Sequence, residues 1–229
     1  MKTALRKLRT TQNLEDLYPL EILHDYSIDP QSREIYISGE PQSAESGSEP
    51  GVEFQMAARL IKNLRFLTST GLDPIIIHLK TCGGYWEEGI AMFDALCMCP
   101  CPITILSYTH ARSMSSIILQ AADYRVLMPN SYFLFHMGTH FTSGTAQEVF
   151  SQIDWAKHTM KVMLTIYAAE MQQKGFLKGK SLKVIREFLQ DQMDKKTDVF
   201  LTPTQAVSYG LADAVFDGNW AKLRKAKHG

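Results

Sequence analysis

The sequence lacks an excess of charge of either sign: 24 lysines and arginines balance 24 aspartates and glutamates. A neutral chain has no bulk electrostatic claim on nucleic acid or on an anionic membrane surface. It also lacks a long uninterrupted apolar run. The most apolar stretch, 90–106, contains Asp94, Pro100 and Pro102, which excludes a membrane span. The N-terminus has no apolar core of the kind that a secretory leader requires. Cysteine is sparse. Cys82, Cys97, Cys99 and Cys101 have no histidine pair at zinc-ligand spacing beside them, so the expectation is reduced thiols and no metal in a cytoplasmic protein. If the last three lie on a strand, Cys99 faces away from the other two. The glycine pair at 83–84 lacks the lysine of a phosphate loop, and "GGYWEEG" is not a dinucleotide fingerprint. No cofactor is called for.

What is present is a strand–helix alternation in a chain of 229 residues, enough for one substantial α/β domain. The first thirty residues have no clear pattern. "REIYISGE" reads as a short strand and "GEPQSAESGSEPG" as the clearest loop. Phe54, Ala57, Leu60, Ile61, Leu64 and Leu67 recur at helical spacing. "PIIIHLK" suits a strand buried on both faces, and "YWEEGIAMFDALC" resumes the helical pattern. Strand "ITILSYT", a helix from Ser113, and strands "YRVLM" and "YFLFH" continue the rhythm, which argues for stacked βαβ units and a largely parallel sheet. A long helix is expected from Thr145 to about Lys174, then another over 181–193. Thr202, Pro203, Gln205 and Gly210 mark both ends of a last helix. The basic termini read as solvated tails.

Functional groups in such folds gather at the carboxyl ends of strands. Three segments qualify. "TCGG" can aim backbone N–H groups at a negative charge, or can be simply a tight turn. Ser113 begins a helix, where serine is a favoured N-cap; it is equally placed to be a nucleophile whose oxyanion meets nearby N–H groups. His136 closes an apolar strand and competes with six other histidines, among them His110 and His140, for the role of base. The residues alone do not choose among these readings.

Taken in order, "TCGG", "ARSMSS", "MPNSYFLFH" and "TDVFLTPTQAVSYGLADAV" resemble the Clp peptidase family, the serine-protease subunits of chambered, ATPase-driven proteases. The likeness runs from about Glu34 to Phe216. It implies an α/β fold of the ClpP/crotonase type, stacked ββα units with a projecting handle helix at about 145–174. The implied divisions are an N-terminal arm over 1–33, a peptidase domain over 34–218 and a basic tail over 219–229. Ser113 matches the family's nucleophile, His136 its general base and Asp198 the acid that orients the base. Gly84 and Met114 match the residues whose amides form the oxyanion hole. No metal or other cofactor is implied.

The resemblance further implies a serine endopeptidase acting on unfolded polypeptides, assembled as a heptameric ring that is usually doubled to a tetradecamer. Its partner would be an AAA+ unfoldase ATPase, with no nucleic acid and no membrane involved. A phage-type enzyme that processes head or scaffold proteins, a catalytically silent ring subunit and an acyl-CoA hydratase of the same fold are the alternatives. The chain departs from the family pattern in several places, among them the Pro-Ser loop after Gly39 and added length between His136 and Asp198. Cys82 stands for a proline, Arg112 for a small residue, Ser115 for a glycine, and "MGTH" for a Gln-Pro continuation after His136. Arg112 is expected to pair with Asp123 or Glu88, or to line the substrate pocket.

Overall fold

The computed structural model describes residues 14–39 and 49–224. The basic residues before Glu15, the last five residues and most of the Ser/Pro/Glu loop lie outside them. After helix α1 (Leu14–Tyr26) come β1 (Ile28–Asp29), β2 (Glu34–Ser38), α2 (Phe54–Thr70), β3 (Ile75–Lys80), α3 (Trp86–Cys97) and β4 (Ile103–Ser107). Then follow β5 (His110–Arg112), α4 (Met114–Leu119), β6 (Tyr124–Leu127), β7 (Tyr132–Phe135) and the long α5 (Ala146–Gln173). The chain closes with α6 (Leu182–Lys196), β8 (Val199–Leu201), α7 (Pro203–Tyr209), β9 (Ala214–Val215) and α8 (Trp220–Leu223).

The larger sheet has the order β1-β2-β3-β4-β6-β9, and only the β1–β2 pair is antiparallel. Its middle strand is buried on both faces, as the run "IIIHLK" requires. Ile75, Ile77 and Leu79 enter the main core beneath the helices, while Ile76 joins Leu106, Val126 and Leu223 of α8 on the other face. His78 shares that outer face and spends its polarity on Tyr108 and Glu34, at 2.8 and 3.0 Å.

The helix ends follow from sequence. Glu53 caps α2 by accepting from the Gln55 and Met56 amides. Thr145 with Glu148, and Thr202 with Gln205, form reciprocal capping boxes on α5 and α7. In α5 the buried side chains begin at Thr159, and the amino-terminal half projects with Phe150 and Trp155 exposed. The last three cysteines share no strand. Cys97 ends α3, and Cys99 and Cys101 lie in the turn before β4, because Pro100 and Pro102 remove the N–H groups that a strand there would need. All four cysteines are free thiols.

A smaller sheet, β5-β7-β8, matters most for function. β5 and β7 are parallel, so both end on the same side of the molecule; β8 runs antiparallel to β7 and begins there. Where "ITILSYT" reads as one strand, the chain turns after Ser107 and crosses from one sheet to the other, with the Ser107 hydroxyl donating to the His110 carbonyl at 2.9 Å.

One buried ion network ties α5 to the larger sheet. The fully buried Arg125 of β6 meets Asp213 at 3.0 Å and Glu170 at 2.9 Å, and Lys174 also reaches Asp213. Burial alone would lift the Asp213 pKa, but the hydrogen bonds and charge of Arg125 outweigh it and hold the carboxyl below its usual value. At Glu170 burial wins over the same arginine and raises the pKa. A depressed carboxylate contributes stability above its unfolded pKa, and that contribution is lost as pH falls through the folded value. Asp213→Ala is therefore expected to cost roughly 3 kcal/mol at pH 7, as removal of one partner of a buried pair does. On thermal melting the gap between wild type and variant should narrow as the pH is taken below 4; an equal gap at pH 7 and pH 3 would sink this account.

Candidate active site

The small sheet brings three distant residues together. β5 delivers Ser113, β7 delivers His136, and Asp198 stands at the start of β8, beside the end of β7. The Ser113 amide continues the β5–β7 ladder by donating to the Leu134 carbonyl at 3.1 Å. The backbone then turns sharply into α4, with Ser113 at φ 52° and ψ −128°. A non-glycine residue held there stores on the order of 1–3 kcal/mol of strain.

Ser113 occupies the N-cap position, yet its side chain makes no capping bond. Its Oγ instead lies 2.9 Å from His136 Nε2, and His136 Nδ1 lies 3.1 Å from Asp198 Oδ1. With Nδ1–H donating to the carboxylate, Nε2 is left to accept the serine proton. Asp198 is presented by a turn that the sequence does not announce. Thr197 sits at φ 59° and ψ −67°, and the Asp198 amide donates to the Lys196 carbonyl two residues back at 2.6 Å. That is the strained, positive-φ form of the three-residue turn. Two corners of the arrangement thus hold non-glycine residues at positive φ.

The neighbouring serines are accounted for as well. Ser115 Oγ donates to the Thr81 carbonyl at 2.6 Å. Ser116 Oγ donates to the Ser113 carbonyl at 2.6 Å and meets the buried Tyr167 hydroxyl at 2.7 Å. Only Ser113 of the three faces a base.

Gly83 and Gly84 form the wall opposite. Val52 pairs with Gly84 as in a parallel sheet: its amide donates to the Gly83 carbonyl at 2.6 Å, and its carbonyl accepts from the Tyr85 amide at 3.0 Å. In such a bridge the N–H of the middle residue points to the other side. The Gly84 amide is thereby turned away from Val52, and the Met114 amide, first in α4, has no helical acceptor. Gly83 comes so near that a Cβ there would sit 2.7 Å from Ser113 Cβ and 3.0 Å from the Met114 nitrogen.

A cavity of about 870 Å³ opens from Ser113 and His136. Met114, Ile117, Met163 and Tyr167 line its inner part, and Trp86 and Trp155 its flanks. Arg112 is not among the lining residues. Its guanidinium turns behind the glycine turn, where Nε donates to the Cys82 carbonyl at 3.0 Å. His110 lies buried on the same side, 3.0 Å from Glu49, and burial lowers its pKa despite that carboxylate. Neither His110 nor His140 contacts Ser113; His136 does.

The arrangement sets a serine hydroxyl against a histidine whose other ring nitrogen meets a carboxylate, at the mouth of a largely apolar cavity. Comparison with known proteins gives the family. Residues 48–219 match the model of the Clp protease family. The chain is 28% identical over 169 residues to an ATP-dependent Clp protease proteolytic subunit from Deinococcus radiodurans, covering 72% of this chain and 76% of that one. A subunit of the same name from Carsonella ruddii is 22% identical over 192 residues, covering 83% and 87%. Among solved structures, a ClpP1 mutant from Listeria monocytogenes superposes with a TM-score of 0.65 over 85% of this chain and 96% of its own, at 20% identity, a likeness of fold. With three quarters of its length matched by the family model, the chain belongs to the Clp protease family and is a serine-type endopeptidase.

Proposed function

We propose that this chain hydrolyses peptide bonds of unfolded polypeptides through Ser113, His136 and Asp198, within the peptidase domain 34–218. The observation that carries the reading is the continuous hydrogen-bonded line from Ser113 Oγ through both ring nitrogens of His136 to Asp198. Ser113 Oγ attacks the scissile carbonyl carbon while its proton passes to His136 Nε2. The carbonyl π electrons move onto oxygen, and the amides of Gly84 and Met114 receive the charge. Collapse expels the amine, which takes the proton from His136 and leaves an ester on Ser113. Water then repeats the sequence, releasing a carboxylic acid and free serine. Asp198 stays ionised, holding the tautomer and stabilising the imidazolium.

The working form in this proposal is a ring of seven copies, paired with a second ring and fed by a partner AAA+ ATPase in the cytoplasm. The projecting half of α5, with Phe150 and Trp155 exposed, supports a face covered by another copy. Hydrolysis of casein and labelling by a fluorophosphonate, with light scattering on the same sample, test both parts. Slow cleavage and one label per chain from a particle of seven or fourteen copies are expected. A monomer, or a ring that never takes the label, would overturn the corresponding half.

A further inference from the structure

Arg112 has no place in the chemistry above, although it directly precedes the nucleophile. The structure assigns it a positioning role: Arg112, with Ser115, stitches the oxyanion turn to the nucleophile's own backbone. The assignment rests on the peptidase reading.

The turn Thr81–Gly84 is intrinsically loose. Glycines at 83 and 84 have the widest conformational freedom of any residue, and Cys82 has no ring to fix its φ as the family's usual proline does. An oxyanion donor works only if its N–H is already aimed when the charge develops. Three successive carbonyls of this turn are each held by a different donor. The Ser115 hydroxyl holds the Thr81 carbonyl at 2.6 Å, Arg112 Nε holds that of Cys82 at 3.0 Å, and the Val52 amide holds that of Gly83 at 2.6 Å. In a trans peptide the N–H points opposite to the carbonyl, so fixing the Gly83 carbonyl on Val52 aims the Gly84 amide the other way. Fixing the Cys82 carbonyl sets the peptide before it, from which Gly83 departs at φ +95°.

Two of the three donors flank Ser113, one residue before it and two after. Any shift of the turn relative to the nucleophile must break a bond anchored beside that nucleophile. These two donors are also two of the chain's departures from its family, a guanidinium and a hydroxyl where small residues are usual. They stand opposite a third departure, Cys82. The guanidinium suits the task because its planar, always-charged group presents Nε–H to the Cys82 carbonyl in a fixed direction. Arg112 lies outside the cavity lining, so it acts on the transition state through the turn and not on substrate binding.

The test compares wild type with Arg112→Met, which keeps the side-chain volume but donates nothing, and Arg112→Lys, which can serve one acceptor. On a peptide anilide, kcat of Arg112→Met should fall about 10- to 100-fold, short of the loss of a whole oxyanion donor, with KM within twofold. Arg112→Lys should recover part of kcat. Amide hydrogen exchange over residues 81–86 should quicken in Arg112→Met while the rest of the chain keeps its protection. Wild-type kcat together with wild-type exchange in Arg112→Met overturns the role, as does a rise in KM with kcat unchanged. A wild type that cleaves no peptide would instead overturn the peptidase reading. Exchange over 81–86 then decides the clamp alone, and equal protection in wild type and variant overturns it.

Discussion

Ser113→Ala is expected to lower kcat for peptide hydrolysis by roughly 10⁴- to 10⁶-fold and to abolish fluorophosphonate labelling, while the chain still folds. The reason is local. Ser113 is the one hydroxyl of its cluster that meets a base, since Ser115 and Ser116 are both committed to carbonyls. No neighbouring serine can take over without leaving a buried acceptor empty. The backbone strain at φ 52° adds a second, independent expectation. Alanine keeps that strain, whereas glycine relieves it, so Ser113→Gly should be as inactive as Ser113→Ala but more stable by about 1 kcal/mol. Kinetics and thermal unfolding on the same three proteins check both parts. Residual activity above one part in a hundred in Ser113→Ala would remove Ser113 as the nucleophile. Equal melting of the two variants would show that the turn at Ser113 carries no strain.

The strand–helix alternation of this fold was legible because burial on both faces of a parallel strand leaves a run such as "IIIHLK" that no other environment tolerates. The capping box at Thr202 announced one helix with its first residue. The second sheet was not legible. "ITILSYT" gives no sign that the chain changes sheets after Ser107, since the change depends on tertiary pairing of β5 with β7 and not on local pattern. At the cysteine run, alternation invites a strand, but Pro100 between two of the thiols and Pro102 after the last decide otherwise. At the site, motif order pointed to Ser113, His136 and Asp198, yet the residues that support them stayed hidden. Val52 is one apolar residue among many, and Thr197 carries no signal of a left-handed turn, for which glycine or asparagine is the usual mark. Arg112 announced itself only as an oddity beside a serine. Its partner is a main-chain carbonyl thirty residues away, and carbonyls have no letter in a sequence.

The largest loss short of removing Ser113 is expected from Gly83→Ala. At φ +95° an L side chain is strained before any contact is counted. Its Cβ would then lie 2.7 Å from Ser113 Cβ, 2.9 Å from the Arg112 carbonyl and 3.0 Å from the Met114 nitrogen. None of these is the free end of a flexible chain, so the turn itself has to retreat. Retreat carries the Gly84 amide off its aim and pulls the Gly83 carbonyl from Val52. The result is loss of an oxyanion donor, on the order of 10²- to 10³-fold in kcat, with misplacement of the nucleophile adding to it. Gly179→Ala separates strain from position. Gly179 has φ +78° but nothing within 4 Å of an added Cβ. That variant should lose about 1 kcal/mol of stability and keep wild-type kcat. Measured side by side, a drop in kcat confined to Gly83→Ala places the oxyanion donor at this turn. Should Gly83→Ala keep its kcat while melting lower, the turn would be a structural joint only, and the developing charge would have to be met by Met114 and α4 alone.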